Sequence, residues 1–295
     1  MLTATATATA PTLPAARIEA VVSAALAEDA PWGDLTGEVF LPIGAVATAE
    51  LTAREPGVLS GIEVFAAAFR LTDPAVQVRA HRADGDRFDI GEVLATVTGP
   101  ARAVVQAERV ALNLLQRMTG IATLTRRFVD AVEGTGASIT DTRKTTPGLR
   151  ALERHAVRCG GGVNHRFSLS DAVMAKDNHL AVIQQQGLDL TEAIQQARSR
   201  LGHTTTLEVE VDRIEQIEPV LAGGVDVIML DNFAPADLVR GVEIVAGRAI
   251  IEASGTVTLE TVADIARTGV DVISSGALTH SARHLDLGLD MTVTA

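Results

Sequence analysis

Cationic residues are concentrated in one stretch of an otherwise acidic chain. Residues 140–180 hold seven Lys or Arg against four Asp or Glu, a local balance of +3, whereas the whole 295-residue chain carries −12. A basic segment in an acidic protein favours a small anionic ligand over a polyanion, which needs a basic surface overall. We therefore expect a binding site for small anions in this stretch and no nucleic-acid partner.

The chain has only two lysines, and both lie in this stretch. Of 25 Lys and Arg residues, only Lys144 and Lys176 are lysines. Lys carries a compact charge and a pKa that burial can lower, and Arg offers neither. Both lysines are therefore candidate catalytic residues. The alternative is that their small number reflects an Arg-rich composition.

Acidic residues with the period of a β-strand follow later in the chain. In Glu208-Val209-Glu210-Val211-Asp212 the three acids would share one face of a strand and the valines the other. Together with Asp231 from the next predicted strand, Glu210 could hold sugar hydroxyls and the waters around Mg²⁺. Magnesium bound to a phosphate ligand keeps several waters and needs no His or Cys ligand. A solvated edge strand is the alternative.

Two Ser-Gly turns follow the last two predicted strands. Ser254-Gly255 lies in the sequence EASGT, and Ser275-Gly276-Ala277 lies in SSGALTH. Turns at these positions of an α/β barrel commonly bind a phosphate through backbone N–H groups. By contrast, Gly160-Gly161-Gly162 follows no strand directly. It is expected to end a helix and to let His165 and Arg166 reach the site.

The histidines and the single cysteine do not form a pattern typical of metal ligands. His165, His179 and His280 lack metal-ligand spacing on one element, and no zinc site is expected. Cys159 is the only cysteine, which excludes an internal disulfide and is typical of a reducing cytoplasm. No apolar run reaches the roughly 18 residues that cross a membrane, and the N-terminus resembles no secretory signal. We therefore expect a cytoplasmic protein without a membrane partner.

Strands and helices alternate regularly after Gly134. Six predicted strands lie at 138–141, 172–175, 207–211, 226–230, 249–252 and 271–273, with predicted helices at 149–158, 191–201, 214–222, 235–246 and 259–267. This alternation implies parallel strands with helical crossovers. Each strand ends in a residue capable of chemistry, as in a TIM-like barrel. Because fewer than the usual eight strands are visible, we expect an incomplete α/β barrel over residues 119–280.

The residues before this region have a different pattern. Residues 15–118 are expected to form a smaller α+β domain, with helices at 15–28, 62–71 and 102–118 and strands at 47–53, 76–80 and 92–97. The Thr-Ala repeat at 3–10 contains no core-forming residue, so residues 1–14 are expected to be a disordered tail.

The basic stretch also carries a family resemblance. The sequence TRKTTPGLRALERHAVRCGGGVNHR at 142–166, followed by AKDNH at 175–179, resembles the signature of the quinolinate phosphoribosyltransferases, also called carboxylating nicotinate-nucleotide pyrophosphorylases. The resemblance extends from about Glu28 to Met291. It implies an incomplete α/β barrel and an N-terminal open-faced sandwich to which residues 281–295 return.

The resemblance also implies roles for individual residues. Arg109, whose alternative is a pair with Glu108, is expected to contact a substrate carboxylate in the neighbouring subunit of a homodimer with shared sites; a hexamer is a further option. The expected catalytic residues are Lys144, Lys176, Glu210 and Asp231. The expected substrate contacts are these four and Arg109, with Thr142, Arg143, His165, Arg166, Ser254, Gly255, Ser275, Gly276, Ala277 and His280.

The implied reaction is the Mg²⁺-dependent transfer of a phosphoribosyl group from phosphoribosyl pyrophosphate to quinolinate, with loss of CO₂. Two alternatives stay open. A Schiff-base aldolase would use a lysine at the end of a barrel strand, although this chain has no Tyr to act as an acid or base. A non-catalytic ligand binder, like the paralogues associated with molybdate transport, would share the fold but depart around NHR and KDNH, and both segments are intact here.

Overall fold

The computed structural model describes residues 12–185, 187 and 189–294. The Thr-Ala repeat of the predicted tail lies outside these residues. The described chain divides into two units. The first extends to Arg126 and also includes Thr145–Gly161 and the residues from Leu278 on, and the second consists of Arg127–Lys144 and Gly162–Ala277.

The predicted helices are all present in the described residues and in the predicted order, and three short helices are additional. The additional helices are α2 (Leu35–Phe40), α6 (Asp177–Gln185) and α11 (Ala277–His280). The segment 214–222 divides into a 3-10 turn at Ile214–Gln216 and a helix. In the described residues the helices are α1 (Ala15–Asp29), α2 (Leu35–Phe40), α3 (Ile62–Thr72), α4 (Ala101–Ala131), α5 (Arg150–Cys159), α6 (Asp177–Gln185), α7 (Leu190–Ser199), α8 (Ile217–Ala222), α9 (Pro235–Val245), α10 (Val262–Arg267) and α11 (Ala277–His280). None of these helices has the length and hydrophobicity to span a membrane.

The predicted strands are all present, with ends shifted by a few residues. Three strands are additional: the short pair β2 (Gly57–Val58) and β4 (Arg87–Phe88), and the last strand, β12 (Leu287–Thr294). The strands are β1 (Val46–Ala53), β2 (Gly57–Val58), β3 (Gln77–Ala80), β4 (Arg87–Phe88), β5 (Val93–Pro100), β6 (Ser138–Thr140), β7 (Val173–Ala175), β8 (Leu207–Val211), β9 (Val227–Asp231), β10 (Ile250–Ser254), β11 (Val272–Ser274) and β12 (Leu287–Thr294).

A four-stranded antiparallel sheet organises the first unit. Its strand order is β12-β1-β5-β3, so the C-terminal strand pairs with β1 along its whole length. Alternate residues of β1 are buried, which places Ala47, Ala49 and Leu51 in the core. Helices α1 and α3 pack against each other, and Phe65 and Phe69 of α3 are fully buried with their rings 5.0 Å apart.

Helix α4 is longer than predicted. The sequence suggested an end at Met118, but the helix continues through Gly120 to Ala131. A Cβ at position 120 would lie 1.9 Å from the carbonyl oxygen of Arg283, so only glycine permits this approach of the two backbones. The gain in tertiary packing offsets the low helix propensity of glycine, which costs about 1 kcal/mol relative to Ala.

A six-stranded parallel sheet organises the second unit. Its order is β6-β11-β10-β9-β8-β7, which is the order of an α/β barrel that is open between β6 and β7 in the described residues. Strand β8 is almost wholly buried, with Leu207, Val209 and Val211 at 1% exposure or less. The predicted architecture, an incomplete parallel barrel with a separate N-terminal α+β domain, is therefore confirmed.

Candidate active site

A cavity of about 570 Å³ lies in the second unit, at the carboxyl ends of the parallel strands. Lys176 directly follows β7, Glu210 lies near the end of β8, and Asp231 and Ser254 are the last residues of β9 and β10. All parallel strands present their carboxyl ends at the same edge of the sheet, which is where α/β proteins bind their ligands. The cavity is therefore the candidate active site.

The cavity brings together residues that the sequence places far apart. Its lining includes these predicted site residues: Thr142, Arg143, Lys144, His165, Arg166, Lys176, Glu210, Asp231, Ser254, Gly255 and Gly276. It also includes residues that were not predicted: Met174, Met229, Asn232, Glu252, Thr256 and Ser274. Strand-end position alone would have indicated Glu252 and Ser274, since both belong to the strands that carry the Ser-Gly turns.

The other predicted site residues lie elsewhere. Ser275 is buried. Its hydroxyl donates to the carbonyl oxygen of Val257 at 3.3 Å, and its backbone N–H donates to the carbonyl oxygen of Thr140 at 3.1 Å. Ala277 begins α11. Arg109 and His280 are exposed residues of the first unit.

One cation of the cavity, Arg143, has a donor for which the described residues supply no acceptor. The Nε atom of Arg143 is buried and has no acceptor among the described residues. A buried donor without an acceptor is costly, and a bound anion would satisfy it. Burial and, secondarily, the neighbouring Arg143 lower the pKa of Arg166, and its Nη1 donates to the carbonyl oxygen of Ala172 at 3.0 Å.

Two carboxylates of the cavity are already held in place. The Nζ of Lys176 forms an ion pair with Oε2 of Glu210. The side-chain amide of Asn232 donates to Oδ2 of Asp231 at 2.7 Å. Asn232 has a left-handed backbone, with φ of 57°, and its N–H donates to the carbonyl oxygen of Ser254 at 2.9 Å. Both carboxylates thus have fixed orientations at neighbouring strand ends.

The turn after β10 depends on a glycine. Gly255 has φ of +130°, and a Cβ on it would lie 2.4 Å from Oδ1 of Asn232. Ser274, at the end of the next strand, has a buried hydroxyl without a partner among the described residues. The turn at Gly255 therefore lets a ligand come close to the backbone, and Ser274 offers a free hydroxyl. The predicted phosphate site requires both features.

The segment Asn164-His165-Arg166 is anchored by a fully buried aspartate. Oδ2 of Asp141 accepts from the side-chain amide of Asn164 at 2.7 Å, and Oδ1 accepts from the backbone N–H of His165 at 2.8 Å. Asp141 directly follows β6, so the segment is tied to the end of a strand. This contact explains how a loop can position His165 and Arg166 in the cavity.

His165 also faces two glutamates that the sequence did not identify as site residues. Its Nε2 lies 3.4 Å from Oε2 of Glu208 and 3.3 Å from Oε2 of Glu252, and both side chains are about 5% exposed or less. Burial alone lowers the pKa of His165, but hydrogen bonds to Glu208 and Glu252 raise it to about 10. Burial, in turn, raises the pKa of Glu208.

The hydrogen bonds of the ring distinguish its two nitrogens. One proton is on Nε2, which faces the carboxylates. Nδ1 instead accepts the backbone N–H of Arg166 at 2.7 Å. A nitrogen that accepts carries no proton of its own, so the ring proton lies on Nε2, on the side of the glutamates.

Two family models cover most of the chain. The model "Quinolinate phosphoribosyl transferase, N-terminal domain" matches residues 34–119, and the model "Quinolinate phosphoribosyl transferase, C-terminal domain" matches residues 121–290.

Curated relatives resemble the chain along nearly all of their length. It is 45% identical over 276 residues to the nicotinate-nucleotide pyrophosphorylase (carboxylating) of Mycobacterium leprae, a match that covers 90% of this chain and 94% of the relative. It is 43% identical over 267 residues to a Bacillus subtilis protein named "Probable nicotinate-nucleotide pyrophosphorylase (carboxylating)", with 90% and 91% covered.

Solved structures agree with this result. The crystal structure of NadC from Streptococcus pyogenes superposes with a TM-score of 0.91 at 39% identity and covers 97% of this chain and 100% of that one. The nicotinate-nucleotide pyrophosphorylase from Francisella tularensis gives a TM-score of 0.89 at 32% identity, with 96% and 99% covered.

Proposed function

Because the chain belongs to the quinolinate phosphoribosyltransferase family, we propose that its cavity is the active site for the family reaction and assign the steps to its residues. The chain transfers the phosphoribosyl group of phosphoribosyl pyrophosphate to the ring nitrogen of quinolinate. The products are nicotinate mononucleotide, pyrophosphate and CO₂. The observation that carries the assignment is the clustering of Arg143, Lys144, Arg166 and Lys176 around one cavity.

Quinolinate binding is assigned to the cations. The ligand carries two carboxylates, and the unpaired Nε of Arg143 together with Arg166 supplies donors for them. Arginine suits this role because its planar guanidinium can bind a carboxylate through two parallel hydrogen bonds. Bound in this way, the ring is held with its nitrogen fixed relative to the sugar, which is the main source of rate enhancement for a transfer of this kind.

The sugar and its leaving group are assigned to the strand ends that carry Glu210, Asp231 and Ser254. As the bond between the anomeric carbon and pyrophosphate breaks, positive charge develops on the ribose, and the carboxylates of Glu210 and Asp231 stabilise it. The bond from the quinolinate nitrogen to that carbon then forms. Ser274 and the turn at Gly255 hold the 5′-phosphate throughout.

Loss of CO₂ follows the transfer. The ring nitrogen becomes cationic, so it stabilises the electron pair that stays on the ring carbon when the bond to the 2-carboxylate breaks. A proton then replaces CO₂ at this carbon. Lys144 and Lys176, as compact cations beside the ring, stabilise the negative charge that develops on this carbon as CO₂ leaves.

Magnesium is part of the proposal, and the carboxylates present fit it. Glu210 and Asp231 both line the cavity and offer the oxygen ligands that Mg²⁺ prefers. Because Glu210 is paired with Lys176, contact through water fits better than direct ligation. When bound, the ion would neutralise charge on the leaving pyrophosphate.

Lys176 also distinguishes this function from that of a Schiff-base aldolase. Such an enzyme needs a neutral amine, and its lysine is desolvated or placed beside other cations. Here the Nζ of Lys176 is held in an ion pair with the carboxylate of Glu210, so it is not free to attack a carbonyl group. The same proposal includes a homodimer in which Arg109 completes the partner's site. It also includes a cytoplasmic location, which the single buried Cys159 fits.

The decisive experiment incubates the protein with quinolinate, phosphoribosyl pyrophosphate and Mg²⁺ and detects nicotinate mononucleotide and CO₂ by mass. Nicotinate, which has one carboxylate fewer, serves as the control acceptor. It should lose at least about 10²-fold in kcat/KM, because the donors that bind the second carboxylate would lose that acceptor. Equal turnover of nicotinate would overturn the assignment of quinolinate as the acceptor.

A further inference from the structure

Glu208 and Glu252 stand out because they are ionisable, buried and not used by the proposed reaction. They come from different strands, β8 and β10, and their Oε2 atoms converge on the same nitrogen of His165. The remaining oxygen of each, Oε1, is buried and has no donor among the described residues. Burying a carboxylate without full hydrogen bonding is costly, so the arrangement calls for a functional explanation.

The contacts of His165 show what the glutamates hold in place. On one side of the ring, Nε2 faces Glu208 and Glu252. On the other, Nδ1 accepts the backbone N–H of Arg166 at 2.7 Å. The backbone N–H of His165 itself donates to Asp141. The charged residues in contact with His165 include Glu208, Glu252, Asp141 and Arg166, and the ring links the two glutamates to the backbone of Arg166.

We propose that Glu208 and Glu252 are positioning residues for quinolinate: they fix the His165 ring through Nε2, and the ring in turn fixes Arg166. This inference rests on the proposed function, since it assigns Arg166 to the acceptor. It adds two residues that act on the acceptor through His165 and Arg166. Without the glutamates the ring can turn about its side-chain bonds, Arg166 loses the acceptor of its N–H, and its guanidinium is less well placed.

The same three residues also bring their ligand atoms within 4.8 Å of one another, as a divalent cation would require. The contact with Arg166 argues against a metal. An imidazole that ligates through Nε2 carries its proton on Nδ1 and donates it, whereas here Nδ1 accepts. A positioning role for the glutamates requires a proton on Nε2, whereas a metal bound by His165 requires Nε2 to carry none.

The kinetic test uses Glu208→Gln and Glu252→Gln, which keep the shape of the side chain and remove its charge. Each should raise the KM for quinolinate about 10-fold with little change in kcat, and leave the KM for phosphoribosyl pyrophosphate unchanged. Glu243→Gln is the matched control, because Glu243 is exposed on α9 of the same unit. A loss that affects both substrates equally, or none in either variant, would overturn the proposal.

A spectroscopic test on the wild-type protein keeps the proposal testable if the glutamate variants fail to fold. Imidazole ¹⁵N–¹H spectra of the wild type, with His165 assigned by the missing signal of His165→Asn, should show a slowly exchanging proton on Nε2. This signal should shift in Glu208→Gln and in Glu252→Gln. An unprotonated Nε2, or a metal that survives dialysis against chelator and is lost in His165→Asn, would overturn the proposal. Because the spectra need no turnover, they stand even if the wild type makes no nicotinate mononucleotide.

Discussion

The pairing of Lys176 with Glu210 connects a compositional observation to chemistry. Both lysines of the chain line the cavity, where a compact ammonium and a wide guanidinium are not equivalent. We expect Lys144→Arg and Lys176→Arg each to lower kcat/KM at least about 10-fold, although each keeps the positive charge. Steady-state kinetics measure this effect. Near-normal activity in both variants would mean that the scarcity of lysine reflects composition alone.

His155 of the first unit is a second buried histidine with a carboxylate partner. Its Nε2 lies 2.7 Å from Oδ2 of Asp84, whose Oδ1 accepts the N–H groups of Gly61 and Ile62 at the start of α3. Burial alone lowers the pKa of His155, but hydrogen bonds to Asp84 and Cys159 raise it to about 10. The pair therefore joins α5 to α3 through one imidazole.

The pKa of His155 predicts how stability depends on pH. Because the pKa in the folded protein exceeds the value of 6.5 for a free histidine, the stabilisation is complete below pH 6.5 and is lost as pH rises towards 10. His155→Leu should cost about 3 kcal/mol of unfolding free energy at pH 6, and less at higher pH.

Urea unfolding at pH 6, 8 and 10 would measure this trend. The exposed His203 provides the control, and His203→Leu should change the unfolding free energy by no more than about 0.5 kcal/mol at any pH. A difference between wild type and His155→Leu that does not depend on pH would contradict the assigned ionisation.

At the scale of elements, the strand ends decide where chemistry can occur. In the turn after β10, Gly255 and Asn232 are packed so closely that a side chain at position 255 would disturb the site. Gly255→Ala should displace Asn232, whose Oδ1 would lie 2.4 Å from the new Cβ, and with it the carboxylate of Asp231. We expect the KM for phosphoribosyl pyrophosphate to rise about 10-fold. Initial-rate kinetics with varied phosphoribosyl pyrophosphate would measure it.

A matched glycine separates the clash from backbone strain. Gly247 also has a positive φ, of +74°, but a Cβ there would meet no atom within 4 Å. Gly247→Ala should therefore cost about 1 kcal/mol of stability through strain and leave both KM values unchanged. Equal kinetic effects of the two substitutions would contradict the role given to Asn232.

At the scale of the whole molecule, the proposed homodimer makes each active site depend on two chains. Arg109 is exposed in the single chain and so available to a partner, whereas Lys176 lines the cavity. Arg109→Ala and Lys176→Ala should each be nearly inactive alone. If the sites are shared, a mixed dimer has one site with both changes and one with neither.

Co-assembly of the two variants tests this dependence. About half of randomly formed dimers are mixed, and each holds one intact site, so activity should return to roughly a quarter of wild type. Native mass spectrometry would verify that mixed dimers form. If they form without any recovered activity, Arg109 serves its own chain or none.

The sequence by itself determined the fold class and most of the cavity lining. Regular alternation of strands and helices predicted a parallel sheet, because buried strands and their crossover helices have distinct periods of hydrophobicity. Strand-end position and residue type then indicated Lys176, Glu210, Asp231 and Ser254, since parallel strands must present these ends at one edge. The long TRK…NHR and KDNH motifs indicated the family.

The tertiary structure alone decided which groups meet. Glu208 and Glu252 are 44 residues apart, and only the parallel register brings both to His165. Likewise, α4 continues through Gly120 because Arg283, distant in sequence, packs against it. Local periodicity reports which face of an element is buried, but not which neighbour covers that face. Pairwise contacts of this kind depend on chain topology, which no local pattern encodes.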